Sequence, residues 1–466
     1  MRSGRLREAT DPGRAGAATC SVPDRMGTDN DTTPVRIGLL GIGTVGGGTF
    51  EVLTRNREEI SRRVGRPIRI TSVADLDQDL ANRVTGGTVD LTTDAYSVVR
   101  DPDIDIVVEL IGGYGIAKDL TLEAIAHGKH VVTANKALLA VHGNEIFAAA
   151  HEQGVMVAFE AAVGGGIPII KALREGLVAN RIEWIAGIIN GTTNFILSEM
   201  RDRGVDFDAA LADAQARGYA EADPTFDVEG VDAAHKISLM SAMAFGIPVP
   251  FASAHVEGIT GIEQTDIRYA EELGYRVKLL GITRRRPDGV ELRVHPTLIP
   301  ESRLIANVEG VMNAVVVMGD AVGPTLFYGA GAGPHPTASA VIADLVDVAR
   351  LITADPEHRV PHLAFQPDQV TDIPVLAIED VTSSYYLRLS VEDQPGVLAD
   401  VTRILAEELI SIDAALQREP SEDGRASVVL LTHECQERSV RSAIAHIEAL
   451  AATAGPVVSL RMEKLA

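Results

Sequence analysis

The sequence predicts an α/β protein in three folded parts: a Rossmann-type doubly wound parallel sheet, an α+β region, and a C-terminal unit of ferredoxin-like order. Three observations predict it. Short apolar strands alternate with helical stretches over about 35–160, as βαβ units require. The pattern becomes less regular over 161–334, and residues 384–466 read β-α-β-β-α-β. A length of 466 residues suits about three domains.

Val35–Leu40 is the first strand, followed by a glycine-rich turn and a helical stretch to about Ser61. Ile68–Ala74 is a second strand ending in Asp75, and Ile104–Ile111 a third ending in a Gly112–Gly113 turn. A helix through Ala117–Ala126 and short strands at His130–Thr133 and Val155–Ala158 complete this part. Beyond it, Trp184–Ile189 and Val315–Met318 read as strands, and Val231–Phe245 as a helix stopped by Gly246 and Pro248. A long helix, about 335–354, returns to complete the parallel domain. Residues 355–383, with Pro356, Pro361, Pro367 and Pro374, read as a linker.

Composition narrows the function. Lys+Arg of 42 against Asp+Glu of 65 gives −23, which disfavours nucleic acid or an anionic membrane as partner. No apolar run approaches the length of a membrane span. Two cysteines, Cys20 and Cys435, exclude a disulfide scaffold and a multi-cysteine metal site, and suit a reduced, cytoplasmic compartment. Residues 1–33 carry five Arg and five acidic residues without an apolar stretch, so they read as a disordered extension rather than a secretory signal. Met26 would be a natural start, which leaves residues 1–25 in question for the mature protein.

Gly41, Gly43 and Gly46 fit G-x-G-x-x-G between a strand and a helix. The first permits the turn, the second lets backbone approach a pyrophosphate, and the third allows close helix–sheet packing. Amides at the helix start, through Ile42, Thr44 and Val45, would receive the phosphate charge. Gly112, after the third strand, is counted with them. Asp75 could accept from a ribose 2′-OH; acidic residues around it favour NAD over NADP without deciding between them.

The densest polar segment is Gly218–Lys236. Asp232 and Lys236 are i, i+4 on the predicted helix, and Leu239 and Met243 continue their stripe, so both charges sit among apolar residues. An ordinary surface ion pair is the plainer alternative. Glu221, Asp223, Asp227 and Glu229 form a carboxylate cluster able to hold an ammonium group or simply to face water. His235 points another way round the helix and is given no role; Trp184 reads as core.

These residues, with Thr133-Ala134-Asn135-Lys136, Glu160 through Pro168 and Asn190-Gly191-Thr192-Thr193-Asn194, resemble homoserine dehydrogenase over about 35–352. The terminal unit, with Asp393-Gln394-Pro395-Gly396 before its first helix, resembles an ACT domain, as in the longer monofunctional members. The resemblance implies reversible NAD(P)H-dependent reduction of L-aspartate 4-semialdehyde to L-homoserine, in threonine, methionine and isoleucine biosynthesis. It makes Lys236 the proton donor, held or polarised by Asp232, and Lys136 a second active-site lysine near nicotinamide and substrate. Glu221 and Asp227 match residues binding the substrate amino group, and Asn190 and Thr192 would offer the substrate an amide and a hydroxyl, a simple Asn-Gly turn being the plainer alternative. Gly331 and Gly333 match a loop near the cofactor.

The resemblance also assigns a monovalent cation, Na+, to the Glu160 side chain or carbonyl and the carbonyls of Val163, Gly165 and Ile167. From spacing alone, the same glycines equally make a domain-crossing hinge. For the terminal unit it implies threonine as effector, with a role in oligomerisation alone as the plainer alternative, and for the protein a homodimer or homotetramer. Two other readings compete. A thiol-dependent semialdehyde dehydrogenase needs a cysteine in the catalytic half, and there is none. A non-catalytic dinucleotide and amino-acid sensor would have little use for the lysine pair.

Overall fold

The computed structural model describes residues 33–417 and 425–465. The expectation for the N-terminal extension falls almost wholly outside these residues, and so does Cys20.

The first sheet is wholly parallel. Its strands are β1 (Val35–Leu40), β2 (Ile68–Ala74), β3 (Asp90–Thr92), β4 (Ile106–Glu109), β5 (His130–Thr133) and β6 (Val157–Ala158), in the order 3-2-1-4-5-6. Strands this apolar must be covered on both faces. Ile37, Leu39, Ile106, Val108 and Val132 share one core with Ala338, Val341 and Leu345 of helix Pro334–Leu351. Leu40, Val107 and Val131 share another with Leu120, Leu138 and Leu139. Strand order reverses between β1 and β4, which opens a crevice at their carboxyl ends. The returning helix packs on helix Thr44–Arg55, where a Cβ at Gly48 would lie 2.6 Å from the Pro334 carbonyl oxygen.

The second sheet carries the region after residue 160. Its strands are β7 (Ile182–Ile188), β8 (His255–Val256), β9 (Tyr275–Arg286), β10 (Gly289–Pro300), β11 (Met312–Gly319) and β12 (Gly323–Ala330). The sequence reading finds β7 and β11 but misses β9 and β10, the longest pair. Lys278, Arg284, Glu291, Arg293 and His295 break their apolar pattern, and Pro296 and Pro300 argue against a strand. The turn between them, Pro287-Asp288, is an ordinary hairpin signal. Helix Val231–Phe245 lies against β7, β9 and helix Lys136–Glu152, and is buried from Asp232 to Phe245.

The terminal unit has β13 (Thr382–Glu392), β14 (Ile412–Gln417), β15 (Arg425–Thr432), β16 (Cys435–Gln436) and β17 (Val458–Met462), with helices Val397–Glu407 and Glu437–Glu448. It has a core of its own around Leu387, Leu389, Leu405, Leu430 and Ile447. Its sheet does not stop there. β17 pairs in parallel with β10, Thr297 against Arg461 and Leu298 against Met462, which makes one eleven-stranded sheet across both parts. Residues between them cling to the body: the Thr371 amide donates to Gly246 O at 2.8 Å and the Val290 amide to Pro374 O at 2.9 Å.

Candidate active site

At the crevice, each glycine of the loop has a distinct steric reason. Gly41 has φ +90°, and a Cβ there would meet the Leu110 carbonyl at 2.8 Å. A Cβ at Gly46 would lie 2.1 Å from Gly41 O, so close packing of helix on turn requires glycine. A Cβ at Gly43 would meet nothing within 4 Å; that position is open toward the crevice. Helix Thr44–Arg55 begins there, with no side chain capping it and no acid in its first turn. The arrangement fits the diphosphate of a dinucleotide. The Ile42 amide is committed elsewhere, donating to Asp75 Oδ2 at 2.7 Å, while Asp75 Oδ1 accepts from the Asp77 amide. Asp75 therefore ties the glycine loop to the end of β2, beside any ribose bound there.

Two further glycine turns meet the same edge. Gly112 and Gly113 are exposed with φ +82° and +74°, and Gly113 O accepts from Asn135 Nδ2 at 2.8 Å. Asn135 also caps helix Lys136–Glu152 through the Leu138 amide, which places Lys136 in its first turn, facing the crevice. Gly333, φ +116°, starts the returning helix.

The polar centre is a triangle. Lys236 Nζ donates to Asp232 Oδ2 at 2.8 Å and to Ile189 O at 2.7 Å. Lys136 Nζ lies 3.0 Å from Asp232 Oδ1, so one carboxylate holds two lysines from two helices. Asn190 Nδ2 donates both to Asp232 Oδ2 at 2.9 Å and to Asp227 Oδ1 at 2.7 Å. The single Thr192 hydroxyl proton is shared between Tyr219 O at 2.7 Å and Asp227 Oδ2 at 3.2 Å. Asn190 itself caps helix Gly191–Arg203, so the Asn-Gly-Thr-Thr-Asn run is a helix start aimed at the carboxylates. Glu221 stands exposed at the mouth and acts on Lys136 through space.

Burial splits the two lysines. Lys236 is almost enclosed, and desolvation pulls its ammonium below the ordinary lysine range despite Asp232. Lys136 is about a third exposed, and the Asp232 charge holds it above that range. Asp232, facing two cations, stays ionised well below the usual carboxylate range although burial opposes this. Burial raises Asp227, and the nearby Asp232 charge adds to it. The site thus pairs a lysine whose charged form burial disfavours with one whose charge Asp232 supports. His235 lies between Phe226 and Phe251, its ring pulled by burial to about 4, and neither ring nitrogen has a hydrogen-bond partner.

Comparison with known proteins decides the family. Residues 168–346 match the family model described as homoserine dehydrogenase, 41–160 its NAD-binding domain, and 385–452 the ACT domain. Homoserine dehydrogenase of Pseudomonas aeruginosa is 60% identical over 433 residues, covering 93% of this chain and 99% of the relative. The chain belongs to the homoserine dehydrogenase family. A crystal structure of a homoserine dehydrogenase from Thiobacillus denitrificans superposes with a TM-score of 0.90 at 65% identity, covering 93% of this chain and 99% of that one. A hyperthermophilic archaeal homoserine dehydrogenase in complex with NADPH has a TM-score of 0.59 at 27% identity, covering 69% of this chain and 99% of the archaeal one.

Two details of this homoserine dehydrogenase fold lie outside the sequence reading. Glu160 is buried, and each of its carboxylate oxygens accepts from a backbone amide, Ile170 at 2.9 Å and Lys171 at 2.8 Å. Its own amide donates to Asp344, which burial and Glu160 push up to about 7. Among the described residues no group of three His, Cys, Asp or Glu side chains could hold a metal, so a cation here would rest on backbone carbonyls. Val163 and Gly165 are buried in this loop, and Gly165 abuts Gly331 so closely that a Cβ would lie 2.3 Å from its carbonyl oxygen. Ile167 O already accepts from the Ile169 amide.

Glu109 is the residue the sequence reading overlooks. It ends β4 fully buried, accepts from the Ile111 and Gly112 amides, and takes the Thr133 hydroxyl at 2.7 Å. It shapes the Gly112 turn. A lone acid closing an apolar strand was the available signal.

Proposed function

We propose that this chain catalyses the reversible NAD(P)-dependent oxidation of L-homoserine to L-aspartate 4-semialdehyde. The observation that carries the proposal is the buried Lys236, poised on Asp232 beside the Asn190–Asp227 pair. The nicotinamide, when bound, takes or gives the hydride at the carbon bearing oxygen. Lys236 in its neutral form accepts the hydroxyl proton during oxidation and, as ammonium, returns it during reduction. Desolvation of Lys236 brings the two forms closer in free energy, which suits both directions. Lys136 stays cationic and stabilises negative charge on the same oxygen. Asp227 and Glu221 receive the substrate ammonium, with Asn190 and Thr192 holding Asp227 in place. The sensor alternative leaves the enclosed Lys236 without a purpose.

Gly43, Thr44, Val45 and Gly46 receive the diphosphate, while Gly41 and Ile42, their amides taken by Ala74 O and Asp75, shape the loop, and Gly112, Lys136 and Gly333 complete the cofactor site. The acidic Asp75 favours the 2′-hydroxyl of NAD, whereas the archaeal relative was crystallised with NADPH. A monovalent cation such as Na+ would take the carbonyls of Glu160, Val163, Gly165 and Ile167, hard oxygen ligands of the kind such ions prefer. For the ACT domain, threonine is the effector, at the Asp393–Gly396 turn before helix Val397–Glu407; Gly396 has φ +102° there. A homodimer or homotetramer is the expected assembly. No helix among the described residues is long and apolar enough to cross a membrane.

A steady-state assay tests the whole reading. L-homoserine-dependent absorbance at the nicotinamide band is followed with NAD and with NADP, with and without threonine, and in sodium against a bulky organic cation. Turnover with either cofactor is expected; none with both would refute the proposal.

A further inference from the structure

Of the contacts that join the terminal unit to the body beside the shared sheet, one ends behind the turn that carries Asp227. Arg461, on β17, is buried and makes a two-pronged pair with Glu257, 2.7 Å from its Oε2 and 3.0 Å from its Oε1. The guanidinium is fixed from its own side by Glu437 at 2.7 and 2.8 Å, and Glu437 in turn takes the Tyr385 hydroxyl. Glu257 belongs to the short run from β8 to Ile259. The Glu257 amide donates to Val294 O and the Ile259 amide to Val228 O, each at 2.8 Å. Between them Gly258 is pressed on the turn that carries Asp227: a Cβ there would lie 2.5 Å from Val228 O and 2.6 Å from Glu229 Cα. Thr260 adds a hydrogen bond to Glu229, and Gly230, φ +82°, starts the helix bearing Asp232 and Lys236 within 3.3 Å of Glu257 O, measured from the Cβ position.

From these contacts we propose that Arg461 is a positioning residue for catalysis, holding the turn that presents Asp227 to the substrate ammonium through the Glu257–Gly258 segment. Bidentate guanidinium–carboxylate pairing fixes orientation as well as distance, which a lysine reproduces only as a point charge. A turn pinned on one side by Asn190 and Thr192 and on the other by Gly258 keeps Asp227 in one place. Without the clamp, binding substrate must first order the turn, and homoserine affinity drops while the cofactor site, on other loops, is untouched. The inference rests on Asp227 being a substrate ligand.

Another of these connections supplies the control. Arg388 on β13 also ties the terminal unit to the body, but through Asp266 and Glu263 at the start of helix Gln264–Glu272. Kinetics of the full-length chain are measured for Arg461→Met, Arg461→Lys, Glu257→Gln, Arg388→Met and Asp227→Asn. Arg461→Met and Glu257→Gln should raise the homoserine KM by about tenfold, the effect of losing one coupled pair. The cofactor KM should stay at its wild-type value, Arg461→Lys should recover part of the loss, and Arg388→Met should leave the homoserine KM unchanged. Equal effects from Arg388→Met and Arg461→Met would mean that the pairs only hold the parts together, and would overturn the proposal. Should Arg461→Met not fold, the near-isosteric Glu257→Gln decides alone: an unchanged homoserine KM refutes the clamp. A raised KM in Asp227→Asn beside wild-type values in the clamp variants rejects the clamp while keeping the site. An unchanged KM in Asp227→Asn rejects the site reading itself.

Discussion

Asp232→Asn isolates the electrostatics of the site with little change of shape. The asparagine oxygen can still take the Asn190 amide or the Lys236 ammonium, but the charge shared by Lys236 at 2.8 Å and Lys136 at 3.0 Å is gone. Two unit charges about 4 Å apart at an effective dielectric near 20 interact by about 4 kcal/mol. If burial and relaxation return half of that, about 2 kcal/mol of preference for charged Lys236 disappears, equivalent to about 1.5 pH units. The direction follows from the loss of an anion and the newly unscreened Lys136 cation: both favour neutral Lys236. In homoserine oxidation, where neutral Lys236 is the base, the rising limb of kcat against pH should move toward acid by about that much. In aldehyde reduction, where the ammonium is the acid, the falling limb should move the same way. The plateau should also fall, because Lys236 loses its anchor. Measuring kcat from pH 6 to 10 in both directions checks this. A limb that stays in place, or moves toward base, would refute the assignment of Lys236 as the titrating group.

Four further outcomes are expected. Lys236→Ala should lower kcat by about 10²–10⁴-fold, the range for a removed general acid–base, with NADH affinity measured by fluorescence nearly unchanged; equal loss of both would make the lysine structural. Glu221→Ala should act chiefly on the homoserine KM, and a change confined to kcat would remove it from the substrate site. Gly43→Ala should leave thermal stability near wild type while weakening cofactor binding, because its Cβ faces open space, whereas Gly46→Ala should lower the melting temperature by driving a methyl into Gly41 O; the reverse ranking in thermal melts would contradict the loop geometry. Deleting residues from 355 onward should destabilise the remaining chain. It strips Glu463 from the fully buried Arg293, which would keep only Glu291 and His295, and uncovers β10. Losing a partner of a buried charge costs about 3–5 kcal/mol. A truncated chain that melts like the full one would show that the joint sheet is incidental. Asp393→Ala is therefore the cleaner probe of threonine sensitivity.

Much of this protein was legible in the sequence because its signals are local. Apolar strand runs, the glycine loop and an i, i+4 Asp–Lys pair depend on backbone sterics and helical pitch, which operate over a few residues. They gave the parallel domain, the cofactor edge and the helix of the polar centre. The β9–β10 hairpin was not legible, since its polar residues face partners far along the chain: Arg293 meets Glu463, and Lys278 meets Val308 O. Nor did spacing reveal that Lys136 and Lys236, 100 positions apart in the chain, share one carboxylate.

By itself, the sequence determined the kinds of chemistry available: a dinucleotide edge, two candidate lysines, a carboxylate cluster, and no thiol in the catalytic half. Only the tertiary structure decided which lysine is enclosed and which stays wet. It also decided that the Glu160 carboxylate accepts two backbone amides and that the terminal unit continues the second sheet. The reason is physical. Composition and spacing fix which groups exist and which face of an element they occupy, whereas desolvation and long-range pairing depend on what other elements bring against that face.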